Sequence, residues 1–189
     1  MSASSPPLRI PTRRLVLRAL RPADAPLLER ALHASLDHLR PWLDWAVSEP
    51  ADLASLETRL ALFRDRFLAG EEWAYGIFPP AEDELLGGIG IHPGEEPGAL
   101  EIGYWLRPDV TGRGYATEAA AAATRVGFED LGARWMEIRC DPANVSSAAI
   151  PRRLGYRHTR TLAANTTTPD GRPRDTMVWE ITAGEFAAR

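Results

Sequence analysis

Between residues 73 and 106 three apolar runs follow one another with nothing between them long enough to be a helix. Trp73 to Phe78, Leu85 to His92 and Ala99 to Leu106 are parted only by Pro79-Pro80-Ala81-Glu82-Asp83 and by Pro93-Gly94-Glu95-Glu96-Pro97-Gly98. Clusters of proline and glycine break strands and turn the chain. A parallel neighbour needs a crossover of about a dozen residues or more, so strands joined this tightly pair antiparallel. Whatever else the chain does, it must attach to that sheet.

Upstream, Leu15, Val16, Leu17 and Leu20 suggest a first strand, which Arg21-Pro22-Ala23-Asp24 stops. The same turn opens a helix through Leu27, Leu28, Ala31 and Leu32, with proline tolerated in its first turn. His38 to Trp45 is an irregular aromatic segment. Leu53, Leu56, Leu60, Phe63 and Phe67 recur at helical spacing and predict a second helix from about Asp52 to Ala69, closed by Gly70.

Downstream of the three strands come a glycine turn and an Ala-rich helix, about Thr117 to Leu131, closed by Gly132. A strand from Trp135 to Cys140, a short helix from Asn144 to Leu154 and a strand from Tyr156 to about Leu162 follow. Pro169-Asp170-Gly171 then turns into a last strand, Thr176 to Ile181, leaving Ala163 to Arg174 as a long polar loop. The order predicts one α+β domain over residues 12–189, behind a flexible N-terminus at 1–11. Its mixed, mostly antiparallel sheet has about seven strands, with helices on both faces.

A chain of 189 residues fits one domain with a sizeable core. The net charge of −4 argues against a nucleic-acid partner, which calls for a basic patch or stripe. Cys140 is the single cysteine, so an intramolecular disulfide is excluded and no metal site is expected. A lone thiol suits a reducing compartment. The opening MSASSPPLRIPTRR has no apolar secretory core, and no apolar run reaches the length of a membrane span. A cytoplasmic protein without a membrane partner is the expectation, and its aromatic segments leave room for a homodimer.

Thr111-Gly112-Arg113-Gly114-Tyr115-Ala116-Thr117 joins the third strand to the Ala-rich helix. Glycine allows close approach of the backbone and positive φ, and the free N–H groups of a helix start attract an anion. Arg113 adds charge, while Thr111 and Thr117 add hydroxyls. Strand-to-helix turns also use glycine merely to turn, so by itself the feature supports a phosphate site only as one of two readings. It is neither a P-loop nor a dinucleotide fingerprint.

Glu101-Ile102-Gly103-Tyr104-Trp105-Leu106, the glycine turn and Ala116-Thr117-Glu118-Ala119 together resemble the acetyl-CoA-binding motif of the GNAT superfamily of N-acetyltransferases. More narrowly, they resemble the branch of the ribosomal-protein N-terminal acetyltransferases of RimJ/RimL type. Leu15-Val16-Leu17-Arg18, Gly87-Gly88-Ile89-Gly90-Ile91-His92 and Asp141-Pro142-Ala143-Asn144 through Leu154-Gly155-Tyr156 match further blocks in the same order. The resemblance implies a GNAT-like fold and acetyl-CoA bound by Tyr104, Trp105, Leu106, residues Thr111 to Thr117, Asn144 and Ser147. One position departs from the pattern: Thr111 stands where Gln or Arg is usual.

Acetyl transfer to an amine needs a base for the amine proton, polarisation of the thioester and support for the departing thiolate. The resemblance makes Glu101 the base, acting through water, although a salt-bridged strand carboxylate explains the residue equally well. His92 is the alternative base. Asn144 and Ser147 share one helix face, and Asn144 suits an N-cap. Many superfamily members place a Tyr seven residues after this Asn to protonate the thiolate. Here that position is Pro151, so the role passes to Ser147, which can hydrogen-bond the thiolate.

Trp42, Trp45, Tyr75 and His92 are the candidates for the amine-acceptor site, whereas Trp73, Trp135 and Trp179 read as core. The acceptor is a primary amine, with a protein N-terminus and a small molecule equally compatible. A non-catalytic acyl-CoA-binding module is the reading of another class. Pro151 and Thr111 favour it, and the joint presence of Glu101, Asn144 and Ser147 opposes it.

Overall fold

The computed structural model describes residues 5–188. Part of the predicted flexible lead, residues 1–4, lies outside the described residues. The chain opens with strands β1 (Arg9–Pro11) and β2 (Val16–Ala19). A helical layer follows: a 3-10 turn at Pro22–Asp24, α1 (Ala25–His33), α2 (Leu36–Leu39), a second 3-10 turn at Asp44–Ser48, and α3 (Leu53–Ala69). Asp52 caps α3, its carboxylate accepting from the Ser55 amide, and Gly70 ends the helix in the left-handed region. The three expected strands are β3 (Trp73–Phe78), β4 (Gly87–Pro93) and β5 (Ala99–Leu106). Then come α4 (Tyr115–Glu129), β6 (Trp135–Cys140), α5 (Val145–Arg153), β7 (Arg157–Thr167), β8 (Pro173–Thr182) and α6 (Ala183–Ala187).

The strands form one eight-stranded sheet in the order β1-β2-β3-β4-β5-β6-β8-β7. Every neighbouring pair is antiparallel except β5 with β6. The extra strand is β1, which takes residues 9–11 out of the expected flexible lead and pairs Ile10 with Leu17. Three residues are too few to show an alternation in sequence. A second correction concerns Ala163 to Arg174, expected as a loop. Both strands continue outward as a ribbon, pairing Thr166 with Arg174 and Thr167 with Pro173. The ribbon is largely exposed on both faces, so no apolar alternation marks it, and a bulge with Ala164 at φ 49° interrupts the register.

Helices cover the sheet on two faces. α4 lies against one, where Ala119, Ala120, Ala122 and Ala123 are buried and allow close approach to Ile89, Ile91, Ile102 and Ile138. On the other face α1 and α3 bury Leu28, Leu32, Leu56 and Leu60 against Val16, Leu20, Phe78 and Leu85. No helix among the described residues is long and apolar enough to cross a membrane.

The parallel pairing is brief. Ala99, Leu100 and Glu101 of β5 lie opposite Trp135, Met136 and Glu137 of β6, and beyond that register the two strands have no further partners in one another. β5 continues to Leu106 and β6 to Cys140, and a cleft opens in the gap.

A buried ion cluster fastens the helical layer to the sheet. Arg18 of β2, only 7% exposed, gives Asp24 two hydrogen bonds, of 2.8 and 3.0 Å, and a third of 2.7 Å to Glu82 in the β3–β4 connection. The Arg21 amide donates to the same Asp24 carboxylate at 2.8 Å. Burial alone would raise the Asp24 carboxyl, but the bonds from Arg18 and the Arg21 amide outweigh it and hold the carboxyl below its usual range. A lowered folded pKa stabilises the fold above the unfolded value, near pH 4, and that contribution fades as the pH falls further. Asp24→Asn should therefore cost about 3–5 kcal/mol at pH 7, by analogy with other broken buried pairs. The gap from the parent protein should narrow below about pH 4, as urea unfolding at the two pH values will show.

Candidate active site

The glycine turn sits at one end of the cleft. After a 3-10 turn at Pro108–Val110, Thr111 is extended and its hydroxyl donates to the Pro108 carbonyl at 2.9 Å. Gly112 and Gly114 take φ of 73° and 79°, a conformation that side chains disfavour. A Cβ on Gly112 would meet nothing within 4 Å, so glycine is needed there for its backbone and not for space. Gly114 is the N-cap of α4 and supplies no side-chain cap. The first amides of α4 are thereby left for a ligand, at the positive end of the helix dipole.

The turn is braced from outside. Arg14 reaches Glu118 from its backbone N and its Nε, both at 2.7 Å, and donates to the Arg113 carbonyl at 2.9 Å. Its guanidinium also lies 4.9 Å from the centre of the Tyr115 ring. Arg113, expected to face the ligand, folds back onto the Asp109 carbonyl at 3.1 Å and does not line the cleft. Thr111, Gly112, Gly114, Tyr115, Ala116 and Thr117 all do.

The cleft has a volume of ≈ 860 Å³ and is reached from both faces of the sheet. Alternation along β5 explains this. Tyr104 and Leu106 turn toward the α4 face, while Trp105 packs with the α1 and α3 cluster on the other. Glu101 and Gly103 share the Trp105 side by register. A Cβ on Gly103 would meet nothing within 4 Å, which leaves bare backbone between the Glu101 carboxylate and the Trp105 ring.

On the α4 side, Asn144 caps α5, its Oδ1 accepting from the Ser147 amide at 3.0 Å. The Tyr104 hydroxyl lies 3.1 Å from the Ser147 carbonyl and 3.2 Å from Ser147 Oγ. Burial pushes Tyr104 above its ordinary range, so it stays protonated. Cys140, at the end of β6, forms the neighbouring wall. Burial raises its thiol against the opposing pull of Trp179 and Ser147. Tyr156 turns away: it is buried, with its hydroxyl 2.7 Å from Thr124 Oγ1.

On the opposite side stands Glu101. Burial raises its carboxyl, Arg139 and His92 oppose that, and Glu137 and Glu95 reinforce it, leaving Glu101 above the usual carboxylate range. Arg139 Nε is 3.4 Å from Glu101, whereas the guanidinium makes closer bonds to Glu137, 2.9 Å from Nη2 and 3.1 Å from Nε, and to Glu95, 2.7 Å from Nη1. His92 is the register partner of Glu101, yet it does not line the cleft. Its ring lies across Gly90 and its Nδ1 is 3.6 Å from Glu72.

Of the expected aromatic acceptor residues, Trp42 lines the cleft, joined by His38 and Leu39 of α2. Trp45 stands back, 40% exposed and edge-on to Trp105 at 6.1 Å between ring centres. Tyr75 is corrected to a core residue: it is 1% exposed, packs edge-on against Phe67 and donates to the Pro7 carbonyl at 3.0 Å. Its strand position was right for the sheet but on the face opposite Trp105. Nothing in the sequence marked Arg174. This buried residue of β8 donates to the Trp42 and Pro41 carbonyls at 3.1 and 3.0 Å and lies 3.4 Å from Asp141.

Residues 14–157 match the family described as acetyltransferase (GNAT) domain. An uncharacterized N-acetyltransferase of Bacillus licheniformis, p20, is 25% identical over 177 residues, covering 93% of this chain and 97% of the relative. RimJ of Mycobacterium smegmatis, solved in complex with CoA-disulfide, is 27% identical with a TM-score of 0.83, over 95% of this chain and 89% of that one. RimL, a ribosomal L7/L12 alpha-N-protein acetyltransferase solved with coenzyme A, shares the fold with a TM-score of 0.82 at 22% identity, over 92% and 97% of the two chains.

The raised thiol and its burial make one outcome specific to this site. Cys140 in the folded protein should label with a neutral-pH thiol reagent at least roughly tenfold more slowly than in urea. Equal rates in the two conditions would contradict its burial.

Proposed function

The chain belongs to the acetyltransferase (GNAT) domain family, and from that premise we propose that it transfers acetyl from acetyl-CoA to a primary amine. The carrying observation is the cleft itself, which joins an uncapped helix start, the Tyr104–Ser147 pair and the raised Glu101 carboxylate where β5 and β6 part. An acyl-CoA suits this donor set. The free amides of α4 and the two left-handed glycines fit its pyrophosphate, and the wall of Tyr104, Asn144 and Ser147 fits the thioester end. When bound, it supplies an activated acyl group.

The acceptor enters from the side of Trp42, Gly103 and Trp105. Glu101, directly or through a water, takes the ammonium proton and leaves a free amine. The amine nitrogen attacks the thioester carbonyl, a C–N bond forms, and the C–S bond breaks. Ser147 donates a hydrogen bond to the sulfur, which leaves as a thiolate, and the proton still held by the new amide nitrogen passes to that thiolate or to solvent, giving the neutral amide and the free thiol. The acidic surroundings of Glu101, with Glu95 and Glu137 sharing Arg139, favour a cationic acceptor. Likeness to RimJ and RimL supports a protein N-terminal α-amine over a small-molecule amine.

Pro151 favours one other reading, a module that binds acyl-CoA without turning it over. Release of free thiol from acetyl-CoA in the presence of N-terminal peptides and small amines separates the two. Thiol release with any acceptor supports the enzyme, and calorimetric binding without release supports the module.

Two variants test the assigned roles. Ser147→Ala should lower kcat about 10- to 100-fold, the range of a lost hydrogen bond to a charged group, with acetyl-CoA binding little changed. Glu101→Gln should cost about 10²–10⁴ in kcat/KM. Because the base must be unprotonated, kcat/KM should rise with pH through a limb above the ordinary Glu range. That limb should vanish in Glu101→Gln, whose kcat/KM should rise only as the amine itself loses its proton to solvent. A parent-like pH profile in Glu101→Gln would rule out the carboxylate as base.

A further inference from the structure

In an α-helix each amide donates to the carbonyl four residues earlier. The amide that would meet the Ser147 carbonyl belongs to residue 151, and Pro151, inside α5, has no N–H. The Ser147 carbonyl is therefore deprived of its helical partner. The Tyr104 hydroxyl, across the cleft on β5, sits 3.1 Å away and takes that place. The same phenol oxygen is 3.2 Å from Ser147 Oγ.

Resting on the role given to Ser147 above, we infer that Tyr104 is a positioning residue that aims the Ser147 hydroxyl, and that Pro151 is what engages it with α5. Tyr104 has one proton and two Ser147 oxygens within reach. With that proton on the carbonyl, the Ser147 hydroxyl donates to the phenol oxygen and is parked against it. With the proton turned to Oγ, the Ser147 hydrogen is free to point into the cleft at the departing sulfur. In that second state Oγ–H both accepts and donates, which strengthens it as a donor. The position that would carry a proton-donating side chain is thus used differently: its proline exposes a carbonyl, and the carbonyl recruits a hydroxyl from the facing strand.

A set of four variants tests this. Tyr104→Phe should lower kcat several-fold with both substrates saturating, and should also lower the melting temperature, because the Ser147 carbonyl loses its partner. Pro151→Ala added to Tyr104→Phe supplies the missing amide, so it should recover the melting temperature but not kcat. Ser147→Ala combined with Tyr104→Phe should be no slower than Ser147→Ala alone, since the two act as one unit. Recovery of kcat together with stability in Tyr104→Phe/Pro151→Ala would reduce Tyr104 to a carbonyl partner and overturn the inference. A slow Ser147→Ala protein with a normal Tyr104→Phe protein overturns it alone. A normal Ser147→Ala protein overturns the role of Ser147 as well.

Discussion

The short parallel contact between β5 and β6 is the constraint on which the rest of the structure depends. A parallel pair cannot be joined by a tight turn, so the chain must cross over, and α4 is that crossover. The crossover places the start of a helix beside the end of β5, where the glycine turn stands. Because only three residues on each strand stay in register, the sheet opens just beyond Glu101. The opening connects two faces that a continuous sheet would keep apart. Glu101, Gly103 and Trp105 can then serve one side of the same cleft that Tyr104 and Ser147 serve from the other.

Much of this was legible because it is local. Three apolar runs with short proline and glycine breaks force an antiparallel meander, and β3, β4 and β5 are where the runs are. Gly112, Gly114 and Asn144 announce their backbone roles through residue type and spacing. What the sequence does not carry is side-chain direction and long-range contact. Tyr75 and Trp42 are both aromatic residues near the same layer, yet one is core and the other cleft wall. Arg113 looks like a phosphate ligand, but its guanidinium turns back to the Asp109 carbonyl, away from the cleft. β1 and the outer β7–β8 ribbon escaped notice because one is very short and the other has no buried face to write an alternation.

Arg174 shows why the Trp42 side of the cleft in particular was hidden. It stands on the ribbon that looked like a loop, and the two carbonyls it binds lie more than a hundred residues earlier. Its guanidinium ties the Pro41–Trp42 backbone to the β6–α5 turn through Asp141, so the Trp42 wall of the cleft and the base of α5 share one anchor. Backbone carbonyls are poor sequence signals, since every residue has one. An arginine that binds two of them leaves no trace in the identity of either partner.

Arg139 performs the complementary task on the opposite side of the cleft, by being shared. A carboxylate bonded closely to its own guanidinium would lie well below the ordinary range and make a weak base. Glu95 and Glu137 occupy the near positions on Arg139, at 2.7 and 2.9 Å, and Glu101 is left at 3.4 Å. At that distance the cation attracts the carboxylate without cancelling the effect of burial, and the two other carboxylates add to it. Burial raises the affinity of Glu101 for a proton, and the effect survives because its neighbours hold the cation more tightly than it does. Removing Arg139 would take the nearest cation from three carboxylates, one of them on the fully buried Glu137, so the guanidinium stabilises the cluster while moderating, not causing, the raised proton affinity of Glu101.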